Sequence, residues 1–353
     1  MKRCTSDEIA DALRGEIECG RWKAGEALPS CNDLCSRFCA GEWAVRHALR
    51  SLRDRGYVSI CQNRGVTVSQ KMLRAWKGRI AFVTLDETAS YFPCRLWQSL
   101  SRRFGEDGWD CPAVFAPFVR KGEYDLSRLE RLISNGLDFA VVLADSKKAL
   151  ELLELSSVPY VVLNGYTHNY PSARGVVRED FRECYKDLIR VMRERRVKTI
   201  LEVDGDRVID RSFKSLVAEA GFSMRRIICK GDADSPWSLQ DVRSWGYRGV
   251  SDFLKAGRNG VNPPDVILFD DDYLAQGGLV ALYEAGLRVP KDVKVVFYSN
   301  RGNASVMGFS AARVENDPIR YGEIVAEYVL KLLDGRRAAP PKISWRFIPG
   351  ESL

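Results

Sequence analysis

Histidine is almost missing from this chain, with two in 353 residues, and no two of its cysteines stand in C-x-x-C spacing. Those gaps exclude the familiar zinc ligand sets and the thioredoxin-type redox pair. No apolar run approaches the ~18 residues of a membrane-spanning helix. The stretch Met1 to Asp11 is charged and holds no apolar signal core, so neither export nor membrane insertion is expected and the chain reads as cytoplasmic. Nucleophile motifs, Gly-rich phosphate loops and paired acid/base constellations are also missing, which argues against an enzyme and against a bound cofactor.

Cysteine, by contrast, is plentiful at ten residues. Cys31, Cys35 and Cys39 repeat every four residues along one side of a helix. One reading is a thiolate metal or redox site with Cys61 as a fourth ligand. The plainer one is that cysteine fills small core positions, where it packs like alanine. Asp270-Asp271-Asp272 raises a similar question. Three consecutive acids at a strand end cannot all face one ion, and no calcium-loop pattern surrounds them, so no metal site is expected. Hydrophobic content of 45% and charged content of 29% suit packed cores, and the length allows two or three domains. Residues 1–75 hold 13 Lys/Arg against 9 Asp/Glu, a net of +4 within the chain total of +7. That modest basic bias is compatible with nucleic acid.

The first 70 residues carry the densest pattern. Thr5 and Glu8 have capping-box spacing, and Ile9, Leu13 and Ile17 then fall four apart on one helical face. Gly20 and Gly25 end that helix, and Ala27-Leu28-Pro29 is a short extended piece. Ser30 caps a second predicted helix through Phe38, with Leu34 and Phe38 facing inward. After Ala40-Gly41 a third runs to about Arg55. Val45, Ala48, Leu49 and Leu52 form its apolar stripe, and Trp43, Arg46, His47, Arg50 and Arg53 its other face. Tyr57 to Ile60 and Val66 to Val68 are strands around Gln62-Asn63-Arg64-Gly65. Helix, helix, basic helix and hairpin together predict a DNA-binding winged helix.

These residues resemble the GntR family. The match rests on Ile9-Ala10, Leu13-Arg14, Ile17, Gly20, Gly25, Leu28-Pro29-Ser30, Leu34, Val45-Arg46, Ala48-Leu49-Arg50, Leu52, Gly56-Tyr57-Val58 and Gly65. The resemblance implies DNA contacts from Asn32, Trp43, Arg46, His47 and Arg50, and from Arg64 and Gly65 in the wing. Three places depart. The family usually has arginine where Asn32 stands, Ser-Arg where Gly41-Glu42 stands, and glycine where Asn63 stands. Glu42 suits the helix dipole but repels phosphate.

After a polar linker at 71–78 the pattern changes to apolar strands alternating with amphipathic helices, which predicts parallel sheets. Strands are expected at 80–85, 113–115, 139–143, 160–163, 199–203, 226–229, 266–269 and 293–298. Helices are expected at 93–106, 125–134, 181–194, 213–220, 247–256, 273–285 and 318–333. So many units imply two sheets. The stretch Pro263 to Ser299, then Val314-Glu-Asn-Asp-Pro318, Gly322 and Gly350-Glu-Ser352, is similar to the LacI/GalR effector domain and its periplasmic sugar-binding relatives. The resemblance covers 79–353.

It implies an α/β fold, a small winged helix followed by a two-lobed periplasmic-binding-protein-like domain with a ligand cleft. Lobe 1 is expected at 79–180 and 301–333 and lobe 2 at 181–300 and 334–353, with crossings near Asp180, near Asn300 and after Leu333. Carried over by position, Asp271 touches the ligand and Asp272 opens the next helix as its N-cap. Ser299 stands where the family most often has a sugar-binding aspartate, so a charged acceptor becomes a neutral donor/acceptor. Asn164 and Asn316 fall at polar cleft positions, and Phe92 at an apolar wall. Trp237 offers an aromatic face for sugar CH groups, while Arg207 and Arg211 are both out of register with the family's cleft arginine. His168 reads as a loop residue.

Together the two halves imply a ligand-responsive regulator, similar to arabinose-repressor-type proteins. It is expected to bind operator DNA as a homodimer, respond to a small sugar-like effector and repress until the effector arrives. Two rivals share the pattern: a soluble sugar-binding protein whose head no longer reads DNA, motivated by Glu42 and Asn32, and a thiol- or metal-sensing regulator.

Overall fold

The computed structural model describes residues 4–18, 21–23, 25–54, 56–61, 65–69, 76–85, 90–120, 123–143, 147–164, 172–205, 212–229, 239–257, 263–303 and 309–353. It divides into two units, Met1–Lys77 and Gly78–Leu353. The first holds α1 (Ser6–Glu18), α2 (Cys31–Phe38), α3 (Glu42–Asp54), β1 (Val58–Cys61) and β2 (Gly65–Val68). At the start of α1 the Thr5 N–H donates to Glu8 Oε2 at 2.8 Å and the Glu8 N–H to Thr5 Oγ1 at 3.3 Å. Ser30 and Asp33 repeat that reciprocal box on α2, so both helices start with donors satisfied that would otherwise be left open. Ile9, Leu13, Ile17, Leu34, Val45, Leu49 and Leu52 bury the three apolar stripes against Val58 and Val68. The strands pair antiparallel from Val58↔Val68 to Cys61↔Gly65. Leu28 donates its N–H to the Val66 carbonyl, so the extended piece before α2 joins the hairpin.

The second unit begins with β3 (Ile80–Thr84), α4 (Tyr91–Glu106), β4 (Ala113–Phe115), β5 (Phe118–Arg120), β6 (Glu123–Tyr124) and α5 (Ser127–Ser134). It continues with β7 (Phe139–Leu143), α6 (Lys147–Leu155), β8 (Tyr160–Leu163), β9 (Gly175–Asp180) and α7 (Arg182–Glu194). Next come β10 (Thr199–Asp204), α8 (Ser212–Glu219), β11 (Ser223–Ile228), α9 (Leu239–Gly257), β12 (Val266–Phe269) and α10 (Asp272–Glu284). The chain closes with β13 (Lys294–Asn300), β14 (Ala312–Asn316), α11 (Pro318–Leu333), β15 (Lys342–Ser344) and β16 (Arg346–Ile348). Among the described residues no helix is long and apolar enough to cross a membrane.

Two six-stranded sheets result, ordered β15-β9-β8-β7-β3-β4 and β11-β10-β12-β13-β14-β16. Each is covered on both faces, which is why β3, β7, β8 and β12 are buried at every position and almost wholly apolar, Thr84 closing β3. In lobe 1, α4 and α11 cover one face and α5 and α6 the other. In lobe 2, α7 and α8 cover one face and α9 and α10 the other.

The chain crosses between the sheets three times, but two crossings differ from expectation. The first falls between β9 and α7, at Phe181. The second comes after Asn316, not near Asn300, because β14 pairs parallel with β13 and stays in lobe 2. The third is at Trp345, not just after Leu333, because β15 returns to pair with β9 before β16 joins β14. These short strands are too brief to show a period in sequence. Trp345 stacks on Phe181 with ring centroids 5.0 Å apart, so the first and third crossings pack together. Helix α9 also begins earlier than the expected Tyr247, at Leu239, and α6 and β9 add to the elements that the sequence pattern predicts.

Candidate DNA-reading surface and ligand cleft

On α3 the sorting of side chains is complete. Val45, Ala48, Leu49 and Leu52 are buried, while Trp43, Arg46, His47 and Arg50 are exposed. Trp43 is 71% exposed and stacks on His47 with centroids 5.2 Å apart. Arg46 Nε donates to Glu42 Oε1 at 2.9 Å, and its Nη2 donates to the same oxygen. Arg50 makes no ion pair among the described residues. Asn32 is exposed in the first turn of α2, with its carbonyl accepting from Ser36 Oγ at 3.0 Å. Gly65 takes φ 75°, a left-handed backbone that glycine adopts freely, and starts the wing's return strand. Arg64 lies outside the described residues.

Another basic residue of the unit serves the fold. Arg37 Nη1 donates to Glu16 Oε2 at 3.0 Å, and Trp22 Nε1 donates to the same oxygen at 2.9 Å. These bonds, Arg37's first, hold the Glu16 carboxyl below its usual range. Cys31 and Cys35 pack half-buried against the core, and Cys39 caps α2 in a left-handed backbone. Among the described residues no group of three or more His, Cys, Asp or Glu is placed to hold a metal. In the second unit burial pushes the thiols of Cys111 and Cys184 up to about 12 and that of Cys229 to about 11, so they stay protonated and unreactive at neutral pH.

The polar residues expected at the ligand lie at carboxyl ends of strands, as open parallel sheets arrange them. In lobe 1 Asn164 follows β8 with φ 57°, and its Oδ1 accepts from Tyr321 OH at 2.8 Å. Phe92, in the first turn of α4, packs on the same Tyr321 ring at 5.8 Å. Tyr321 thus joins the two expected residues, and sequence reasoning missed it because its spacing on α11 reads as core. Tyr91 OH donates to the Arg301 carbonyl at 3.0 Å, tying α4 to the segment after β13.

In lobe 2, Asp271, Ser299 and Asn316 close the adjacent strands β12, β13 and β14, and all three are buried, at 8%, 4% and 1% exposure. Asp271 is the N-cap of α10, its Oδ1 accepting the Tyr273 N–H at 2.7 Å. Asp272, expected in that role, sits one residue inside the helix and accepts from Asn303 Nδ2 at 2.7 Å. The cap must lie in extended backbone, which only Asp271 has. The neighbouring Asp270 accepts from the Gly205 N–H at 2.9 Å, and Asp204 is ion-paired with Arg226. Strand alternation puts Ser299 in phase with Val295 and Phe297, toward α9 and α10. Asn316 is in phase with Ala312 and Val314, toward α7 and α8. The Nδ2 of Asn316 finds no hydrogen-bond partner among the described residues. Trp237, Arg207 and Arg211 lie outside them.

Comparison with known proteins fits this division. Residues 5–68 match the gntR family of bacterial regulatory proteins, and residues 195–353 a periplasmic binding protein-like domain. The chain joins a GntR-type head to a periplasmic-binding-protein-like domain.

The head and the domain each have their own relatives. The HTH-type transcriptional regulator TreR of Bacillus subtilis is 36% identical over 75 residues, 21% of this chain and 32% of that protein. The HTH-type transcriptional repressor PurR of Escherichia coli is 29% identical over 98 residues, 28% of each chain. This chain therefore spans about a third of the length of the curated relatives it matches. A LacI family transcriptional regulator from Arthrobacter, solved in complex with lactose, superposes with a TM-score of 0.62 at 20% identity, over 78% of this chain and 99% of that one. Another from Enterococcus faecalis, with bound ribose, superposes at 0.61 and 17% identity, over 78% and 98%. At such identities the likeness is one of fold.

Proposed function

We propose that this chain is a cytoplasmic, ligand-responsive transcription regulator that binds a two-fold operator as a homodimer. In this reading it represses until a small sugar-like effector closes the cleft, and it acts by binding without catalysis. The observation that carries the DNA role is α3, whose outer face holds an exposed tryptophan among arginines over a fully buried stripe. A large exposed aromatic beside cations suits a partner that brings phosphates and base edges together. Arg64, which lies in sequence just before the wing's second strand, would add a second contact.

For the effector, the support is the polar strand ends. Asp271, Ser299, Asn164 and Asn316 offer acceptors and donors for hydroxyl groups, with Phe92 and Trp237 as apolar walls. The buried donor on Asn316 is an unmet hydrogen bond that a ligand oxygen would satisfy. Lactose and ribose are the ligands of the similar structures. For the dimer, the support is a groove along α9 and α10 lined by Tyr247, Val280, Tyr283 and Phe309. Tyr283 is 84% exposed there.

A mobility-shift titration on the gene's own upstream DNA tests the whole reading, run at two salt concentrations and with a panel of pentoses, hexoses and nucleosides. Sequence-preferring, salt-sensitive binding that one sugar weakens is the expected result. Sugar binding without any DNA shift would leave a soluble binding protein with a silent head, a reading that the Glu42–Arg46 bond favours. Sedimentation of Tyr283→Glu should move the protein toward monomer.

A further inference from the structure

We propose that Glu42 and Arg46 read one C·G base pair as a unit, with Glu42 deciding which base is chosen. The inference rests on the DNA-reading role proposed above. In helix-turn-helix heads the first turns of the recognition helix meet base edges, and Glu42 and Arg46 occupy those turns of α3. Arg46 Nε and Nη2 both donate to Glu42 Oε1. Glu42 Oε2 and Arg46 Nη1 take part in no hydrogen bond among the described residues. The side chains are 58% and 61% exposed, and an ion pair so open to water adds little to stability. The pair therefore displays an acceptor beside a donor, already oriented, on the face that carries Trp43.

The major groove supplies the complement. Cytosine offers its N4 amino group and guanine offers O6 and N7 as adjacent acceptors. A carboxylate oxygen accepting a hydrogen bond from the cytosine amino group and a guanidinium donating to guanine satisfy that pair. Thymine would set a methyl and a carbonyl oxygen against the carboxylate, and guanine two acceptors. Adenine has an amino group, but its partner thymine offers the guanidinium one acceptor, O4, where guanine offers two. C·G is the best fit.

Selection from a randomised duplex pool with the full-length protein, followed by sequencing and titration, tests this. The wild-type protein should select C·G at one position of each half-site. Glu42→Gln should move that position toward A·T, because an amide pairs with adenine N6 and N7, and should lose about 5- to 150-fold affinity for the wild-type site. Arg46→Ala should relax the same position. Glutamine and alanine are good helix formers, so both exposed substitutions keep the fold. Glu42→Gln protein that selects the unchanged sequence, or that binds all duplexes more tightly by one common factor, overturns the proposal and leaves Glu42 as a repeller of phosphate. Relaxation of two different base pairs by the two variants also overturns it. Wild-type protein that enriches no sequence removes the DNA-reading role itself, and the base-reading unit with it.

Discussion

The head and the cleft place their candidate contacts in opposite environments. Trp43, Arg46, His47 and Arg50 stand in solvent on a helix whose other face is the core. Asp271, Ser299 and Asn316 are inside the fold before any ligand arrives. Operator DNA would bring its own large charged surface, so a reader of DNA keeps side chains extended in water at little cost to its own stability. A small ligand is held by a few polar groups in a concave, desolvated place, and those groups must be satisfied by the fold as well. Asp271 shows this, since the oxygen that caps α10 belongs to the residue expected at the ligand. The candidate contacts are separable from stability on the head's outer face and entangled with it at the strand ends.

The largest effect should come from crossing that boundary within the head. Leu52→Ala removes a fully buried side chain and should cost about 2–5 kcal/mol. Chemical denaturation should show the head unfolding early, and DNA binding should fail through lost structure. Next in size is Gly277→Ala. A Cβ there would strike the Arg243 carbonyl across the α9–α10 contact, and overpacking of this kind costs about 1–3 kcal/mol. Calorimetry should show the second unit melting earlier.

Asp271→Ala should destabilise by about 1 kcal/mol from the lost cap alone, so weaker ligand binding in that variant mixes two causes. Asp271→Asn keeps a good cap and removes the charge; if calorimetric titration finds its affinity for the effector unchanged, Asp271 is a cap and not a contact. A smaller effect follows from Glu16. Its carboxyl lies below the ordinary 4.5 in the folded head, so its contribution is fully present above that value and is lost as pH falls through the lower folded one. The head's melting temperature should drop on acidification below about pH 4.5, and less steeply in Glu16→Gln. Smallest of all, Arg50→Ala should leave stability within about 0.5 kcal/mol. Its operator affinity should fall, with a salt slope lower by about one. A stability loss as large as that of Asp271→Ala would erase the contrast between the two regions.

The sequence by itself determined the elements with strong periodicity or strong caps. Thr5 with Glu8, Ser30 before α2 and the stripe Val45-Ala48-Leu49-Leu52 specify the head through local contacts. The fully apolar runs Ile80–Val83, Phe139–Leu143 and Val266–Phe269 announce strands covered on both faces. Tertiary structure alone decided where the chain changes lobes the second and third times. Strands β14, β15 and β16 have three to five residues each, and their sheet membership depends on hydrogen bonds to partners more than 10 residues away along the chain. It also decided that Asp271, not Asp272, caps α10, because that choice depends on backbone dihedrals at a strand-to-helix turn. Likewise it joined Tyr321 to Asn164 across 157 positions. Periodicity reports which face of an element is buried, and only the packed fold reports what that face meets.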